Sequence, residues 1–405
     1  MIEQGTKEYW RATFALSLGS FLVFAMVYVT QPLLPLFTDE FGVSPAKASS
    51  SLSVVTLFIS IALLFYGPIS DSLGRKVIMV WTLLGAIVVT FAIPFVSSFE
   101  WILVLRALQG VFLAGLPSIA MAYMGEEFSP QALSLGIGMY ISANSLGGMS
   151  GRLMSGVAAD WWGWQGSFVT IGLLGLTFFL LFVWMLPPSR QFRRVPFNGK
   201  QAVGGMLQHL RNPILSVAFV IGGLHFFVFL GSFNYLTFLL SGDPYRLSPT
   251  LLGMLFVSYL AGTFSSTLSG RLAQQWGKTT CIQVGVGLFA LGMLCTLHPS
   301  LIVILIGLLI QCFGFFFAHS ASASWVNAHA QFARASASSL YLVFYYFGAS
   351  LGSSYLGWFW EAWYWPGVVS GGLLVLVVTF SCSCWLHRTE RRVQGKQRLD
   401  LSSSR

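Results

Sequence analysis

Gly67-Pro-Ile-Ser-Asp-Ser-Leu-Gly-Arg-Lys76 sits between two apolar runs, Leu57 to Tyr66 and Val77 to Val96. Three charges and two glycines in ten residues mark a short polar turn joining two greasy segments. The rest of the chain has the same texture. Of 405 residues, 55% are hydrophobic and 9% charged, against about 25% charged in a soluble domain. Such a chain cannot clothe itself in water-compatible surface, so the class is a polytopic membrane protein.

A membrane-crossing helix needs about 20 mostly apolar residues. Runs of that kind begin near Phe14, Ala48, Lys76, Trp101, Gln131, Trp164, Pro213, Pro249, Thr279, Ser300, Ala335 and Tyr364, giving twelve spans. The first, Phe14 to Phe37, is too long for a signal peptide and lacks a cleavage site, so it reads as a retained helix. Lysines and arginines orient the chain. With the N-terminus inside, ten basic residues fall in inner loops, and only Lys47 and Arg246 in outer ones. Outer turns instead collect tryptophans (Trp101, Trp161, Trp162, Trp164, Trp358, Trp360, Trp363, Trp365), as an interfacial aromatic belt does. Both termini are therefore expected in the cytoplasm, in a cell inner membrane. The net charge of +9 faces anionic lipid, with no nucleic-acid surface.

The opening stretch has an echo. Gly67-x-x-x-Asp71-x-x-Gly74-Arg75 reappears 203 residues on as Gly270-x-x-x-Gln274-x-x-Gly277-Lys278, and Asp160-Trp-Trp-Gly-Trp-Gln-Gly166 matches Glu361-Ala-Trp-Tyr-Trp-Pro-Gly367 at 201. Both copies of each fall on the same predicted side. The architecture implied is all-α: two parallel six-helix repeats, 1–186 and 213–386, joined by a basic linker, 187–212, and ending in a tail, 387–405. Repeats of this kind build transporters.

Gly67-x-x-x-Asp71-x-x-Gly74-Arg75-Lys76 resembles the signature loop of the major facilitator superfamily, and Arg106-x-x-Gln109-Gly110 resembles its second motif. Gln31-Pro-Leu-Leu-Pro35 and Ser145 to Arg152 are similar to the YnfM-like group, near the drug:proton antiporters. The resemblance implies a gating latch: Asp71, held by Arg75, meets the start of the eleventh span, Ala335 to Ser339, and closes the cytoplasmic side. Gly67 would let another backbone approach. Gln274 lacks the charge–dipole attraction a carboxylate has toward a helix N-terminus, so the latch is expected to be asymmetric. The simpler reading is a tight, positive-inside turn.

The resemblance also places spans 1, 4, 7 and 10 around a cavity. Candidates there are Tyr28, Gln31, Arg106, Gln109, His225, Asn234, Tyr235, Gln311 and His319, each of which could equally make an interhelical hydrogen bond. Arg106 either faces the cavity or snorkels to the outer headgroups. In the fifth span Gly147, Gly148, Gly151 and Gly156 form a small-residue face for close packing. Ala143-Asn144 stands where the antiporter motif carries Gly-Pro, which puts antiport in doubt. Arg152 follows on that helix, toward cavity or headgroups. All thirteen acidic residues lie at span ends, loops or tails. With no mid-span carboxylate, a neutral or anionic substrate is expected rather than a cationic drug, and proton coupling is expected to be weak or absent and, if present, to depend on His225, an imidazole by itself titrating near neutrality.

These features point to a transporter of a small organic molecule by alternating access, exporting, monomeric, with no cofactor or metal. No G-x-x-x-x-G-K-[ST] or His-Glu-x-x-His run occurs, so neither ATP hydrolysis nor zinc hydrolase chemistry is expected. The alternative is a transporter-fold sensor or scaffold without flux.

Overall fold

Thr6 starts the first helix by accepting a bond from the Tyr9 amide. Helix α1 (Lys7–Tyr28) thus begins seven residues before the expected Phe14. It stops before Gln31-Pro32, because proline cannot donate to the helix ladder. A short 3-10 turn (Gln31–Leu33) leads into α2 (Leu34–Phe41). The computed structural model describes residues 1–192, 194, 204, 207–330 and 334–403, with side chains omitted at 334, 335 and beyond 392. Much of the linker at 187–212, most side chains of the tail, and the side chain of Ala335 at the expected latch partner lie outside the described residues.

The next helices are α3 (Pro45–Leu73), α4 (Arg75–Ala92), α5 (Phe99–Leu113), α6 (Gly115–Glu127) and α7 (Pro130–Met185). After them come α8 (Pro213–Ser241), α9 (Pro249–Met254), α10 (Tyr259–Trp276), α11 (Lys278–Cys295), α12 (Leu301–His329) and α13 (Arg334–Ser403). Nearly every described residue outside the turns is helical, and among the described residues there is no named strand.

Among the described residues ten stretches are long and apolar enough to span a bilayer. Two of them double back. The 56 residues of α7 would make about 84 Å of straight helix, far more than the ~30 Å hydrocarbon core. They turn at Gly163 (φ 69°), after which Ser167 Oγ donates to the Ser155 carbonyl at 2.7 Å. In a straight helix those residues would be about 18 Å apart. Helix α13 turns at Trp363 and Tyr364, and its legs meet where Gly371 lies against Phe359. Counting both legs of each gives the twelve crossings expected.

The repeat is visible in the backbone. Gly74 (φ 110°, ψ 140°) and Gly277 (φ 83°, ψ 149°) make the same helix-to-helix turn. Gly163 (φ 69°) is matched 201 residues on by Tyr364 (φ 52°), a non-glycine residue in a region that favours glycine.

The aromatic belt needs one correction. Trp101, Trp161, Trp162, Trp358 and Trp363 are exposed, but Trp164 and Trp365, equivalent positions of the two echoes, are buried. Trp164 packs among Phe37, Phe41 and Phe168, and Trp365 Nε1 donates to the Thr296 carbonyl at 3.0 Å. Each tryptophan follows its hairpin turn immediately, and its ring is turned inward onto neighbouring elements.

The chain divides into two compact units. The first comprises Met1–Ala202 with Phe233–Val257; the second comprises Val203–Ser232 with Ser258–Arg405. Within the first, the expected small-residue face does what its composition suggests. Gly147 and Gly151 lie against the backbone of Phe21 and Ala25 in α1, and Gly156 against Pro249.

Candidate functional site

The break in α1 organises the polar interior of the first unit. A helix end leaves its last four carbonyls without intrahelical donors, and inside a bilayer no water replaces them. Arg106 supplies donors. Its Nη1 bonds the Met26 carbonyl at 2.9 Å, Nη2 the Val27 carbonyl at 2.6 Å, and Nε the Ser51 carbonyl of α3 at 3.2 Å. Ser155 Oγ donates to the Val29 carbonyl at 2.6 Å. Nη1 also bonds Gln109, whose Nε2 donates to Thr90 Oγ1 at 2.6 Å. A cation at a helix C-terminus adds favourable charge–dipole energy. Arg106 is fully buried, so the snorkelling alternative does not hold here. Its fork is occupied by carbonyls from two helices and by Gln109, which makes it a cap for the broken helix rather than an open anion hook.

A second arginine stands on the next polar layer. Arg152 Nε donates to Gln31 Oε1 at 2.7 Å, and Gln31 Nε2 donates to Asn234 Oδ1 at 2.8 Å. Its guanidinium lies 3.7 Å from the Tyr28 ring centroid and 4.3 Å from that of Phe256, and Nη1 bonds the Gly148 carbonyl. Gly148 and Arg152 are one helical turn apart, which brings the fork back over its own helix. Tyr28, Gln31, Arg152 and Asn234, proposed separately from sequence, thus form one buried relay inside the first unit. It joins α1 and α7 to the Phe233–Val257 segment. Phe256 was not foreseen; one phenylalanine among 36 carries no signal. Asn144 is bonded to Ser20 of α1, and Tyr235 is fully buried.

At the opposite end of α3, Arg75 Nη1 pairs with Asp71 at 2.5 Å and bonds Ser70 Oγ at 2.6 Å. Nη2 pairs with Glu126 at 2.7 Å. Arg75 is only 9% exposed, so this pair is shielded more than a surface bridge worth about 0–1 kcal/mol. Sequence reading missed Glu126, although the doublet Glu126-Glu127 closing the fourth span was the available signal. Lys76 Nζ bonds the Leu186 carbonyl at 2.5 Å. The backbone approach expected at Gly67 is not made: a Cβ there would meet nothing within 4 Å, and the same holds at Gly270. In the second copy Lys278 Nζ bonds the Ser324 carbonyl at 3.2 Å, while Gln274 is exposed.

In the second unit, His225 is buried. Its ring is parallel to Phe315 (4.9 Å, 6°) and its Nε2 lies 3.2 Å from the Phe315 carbonyl, while Nδ1 has no partner. Gln311 Nε2 donates to Ser232 Oγ at 2.9 Å. His319 Nδ1 meets Tyr341 Oη at 2.9 Å. Among the described residues no group of three His, Cys, Asp or Glu is arranged to hold a metal.

An all-helical chain with doubled membrane hairpins, repeated glycine turns and a buried polar relay has the form of a membrane transporter. The Major Facilitator Superfamily model matches residues 16–353 and 224–401. The chain is similar to the MFS-type transporter YybF of Bacillus subtilis, with 39% identity over 96% of both chains. It is also 39% identical to the inner membrane transport protein YnfM of Escherichia coli, over 96% of this chain and 93% of that one. Among solved structures, a bacterial homolog of the human lysosomal transporter Spinster, inward-facing and unoccupied, superposes with a TM-score of 0.78. That alignment covers 95% of this chain and 98% of that one, at 17% identity, and speaks for the fold alone. The chain belongs to the major facilitator superfamily. It is a membrane transport protein and not an enzyme.

Proposed function

We propose that the chain exports a small organic molecule, neutral or anionic, across the cytoplasmic (inner) membrane by alternating access. It works as a monomer with both termini in the cytoplasm, using repeats 1–186 and 213–386, linker 187–212 and tail 387–405. The observation that carries this reading is the Arg152–Gln31–Asn234 relay. With the termini inside, it ties the outer part of the seventh and eighth spans to the first and fifth. Contacts of that kind, made in one state and broken in the other, are what bias a two-state carrier. At the cytoplasmic end, Asp71, Arg75 and Glu126 would form the counterpart latch with the start of the eleventh span.

The substrate-charge reading rests on the lack of any mid-span carboxylate and on the positive charge of two buried arginines, Arg106 contributing through its field and not as a ligand group. Flux into proteoliposomes, for a panel of neutral, anionic and quaternary-cation compounds, with and without a pH gradient, tests it. Uptake of neutral or anionic compounds is expected. Robust movement of a quaternary cation refutes the charge preference, and movement of nothing in the panel by folded, correctly inserted protein refutes carriage.

A further inference from the structure

Four cations gather where the first unit begins. A hollow of about 480 Å³ there is lined by Lys7, Glu8 and Arg11 of α1, Lys76 of α4, Trp184 of α7, and Arg190. The end of α7 accounts for the position of two of them. Its last carbonyls lack intrahelical donors, so Arg11 Nη2 donates to the Trp184 carbonyl at 2.9 Å and Lys76 Nζ to that of Leu186 at 2.5 Å. Carbonyls satisfy N–H groups but cancel no charge. Glu8 pairs with Arg190 at 3.0 Å, whereas among the described residues Lys7, Arg11 and Lys76 pair with no carboxylate. The adjoining linker, 187–212, contains no aspartate or glutamate. Helix capping therefore explains where these cations sit and leaves their charge unbalanced.

A second hollow continues from the first. It shares Lys76 and Pro188 with it, measures about 540 Å³, and is lined mainly by apolar side chains, among them Leu73, Val77, Val80, Trp81 and Phe192. Its other cation, Arg75, is already held by Asp71 and Glu126. Val77 and Trp81 stand one turn apart on α4, 49% and 65% exposed. Trp81 lies about 7.5 Å deeper along the span than Lys76. A cationic well that runs into an apolar trough has the two-part chemistry of a phospholipid, and basic pockets between spans take anionic headgroups. A free phosphate would fill the well and leave the trough without a role.

We propose that the two hollows form one binding site for an anionic glycerophospholipid, in the leaflet on the side of the N-terminus. The phosphate lies on Lys7, Arg11 and Lys76, and an acyl chain runs along Val77 and Trp81. This site is separate from any carried molecule, so it stands or falls independently of the export reading.

Native mass spectrometry tests it, with the full chain released from micelles holding equal amounts of phosphatidylglycerol and phosphatidylcholine. One phosphatidylglycerol is expected to be retained at least about tenfold over phosphatidylcholine. Each basic residue near the surface is worth about fivefold in affinity for anionic lipid. Lys7→Gln, at an exposed position outside the capping pair, should lower the preference by about that factor, and Lys76→Gln by at least as much. Trp81→Ser should lower retention through the trough, and millimolar inorganic phosphate should not displace the lipid. Lys47→Gln, at the far end of α3 and paired with Glu100, should change nothing. Equal retention of the two lipids, a preference that survives Lys7→Gln, or an equal loss in Lys47→Gln overturns the site. Displacement by phosphate, or indifference to Trp81→Ser, overturns the lipid in favour of a free anion. Should Lys76→Gln fail to fold, Lys7→Gln and Trp81→Ser decide the matter.

Discussion

Replacing Arg106 by methionine removes the donors that cap the broken first helix while keeping an unbranched apolar side chain of comparable reach. The carbonyls of Met26 and Val27 lose their partners; that of Ser51 lies within the continuous helix α3 and keeps its own ladder bond. Two orphaned buried acceptors cost about 1–3 kcal/mol each. Against that, a charge no longer has to be held inside the membrane, an offset of about 2.5 kcal/mol on insertion scales. The net expectation is a loss of about 2 kcal/mol, or a few degrees in unfolding midpoint. Arg106→Lys should recover only part, since an ammonium cannot fork to two carbonyls and Gln109 in one plane. The five cysteines are free and buried or half-buried, so a thiol-reactive dye reports unfolding in detergent directly. If Arg106→Met leaves the midpoint within a degree of the parent but abolishes ligand binding, the capping argument is wrong and Arg106 is a ligand group.

At the latch, Asp71→Asn and Glu126→Gln should each slow flux far more than they lower expression, because both carboxylates hold Arg75. Gln274→Ala should do little, and equal damage from it would refute the asymmetry. Gln31→Leu and Asn234→Leu should each loosen the relay, and a double-mutant cycle on unfolding midpoint should give a coupling of at least about 0.5 kcal/mol; simple additivity would show that the two amides do not act as a pair. Tyr364→Gly should raise the unfolding midpoint by relieving about 1–3 kcal/mol of backbone strain, since Tyr364 is 71% exposed and loses little packing; a lower midpoint would refute the strain. Proton coupling should be weak or absent and, where present, should depend on His225; steep pH-driven accumulation unchanged in His225→Gln vesicles would assign it elsewhere.

Local chemistry was enough to read the class and the apolar runs from the chain alone, and the resemblance of one polar loop to a known motif supplied the Asp71–Arg75 pair. Bilayer thickness sets a length and a composition that 20 consecutive residues must satisfy by themselves, and a turn with positive φ asks for glycine at a particular place. Partner choice is different, because it depends on which side chains three or four separate helices bring to one point. Arg106 and Arg152 look alike in sequence, each a lone cation in an apolar helix. Packing made one the cap of α1, because Gln31-Pro32 breaks that helix beside it. It put the other between Tyr28 and Phe256, because Gly147 and Gly151 let α7 close on α1. Glu126 likewise became Arg75's second partner only once α6 ended beside α4. Hydrophobic periodicity carries burial, but the pairing of buried polar groups is decided by geometry that exists only after the helices have packed.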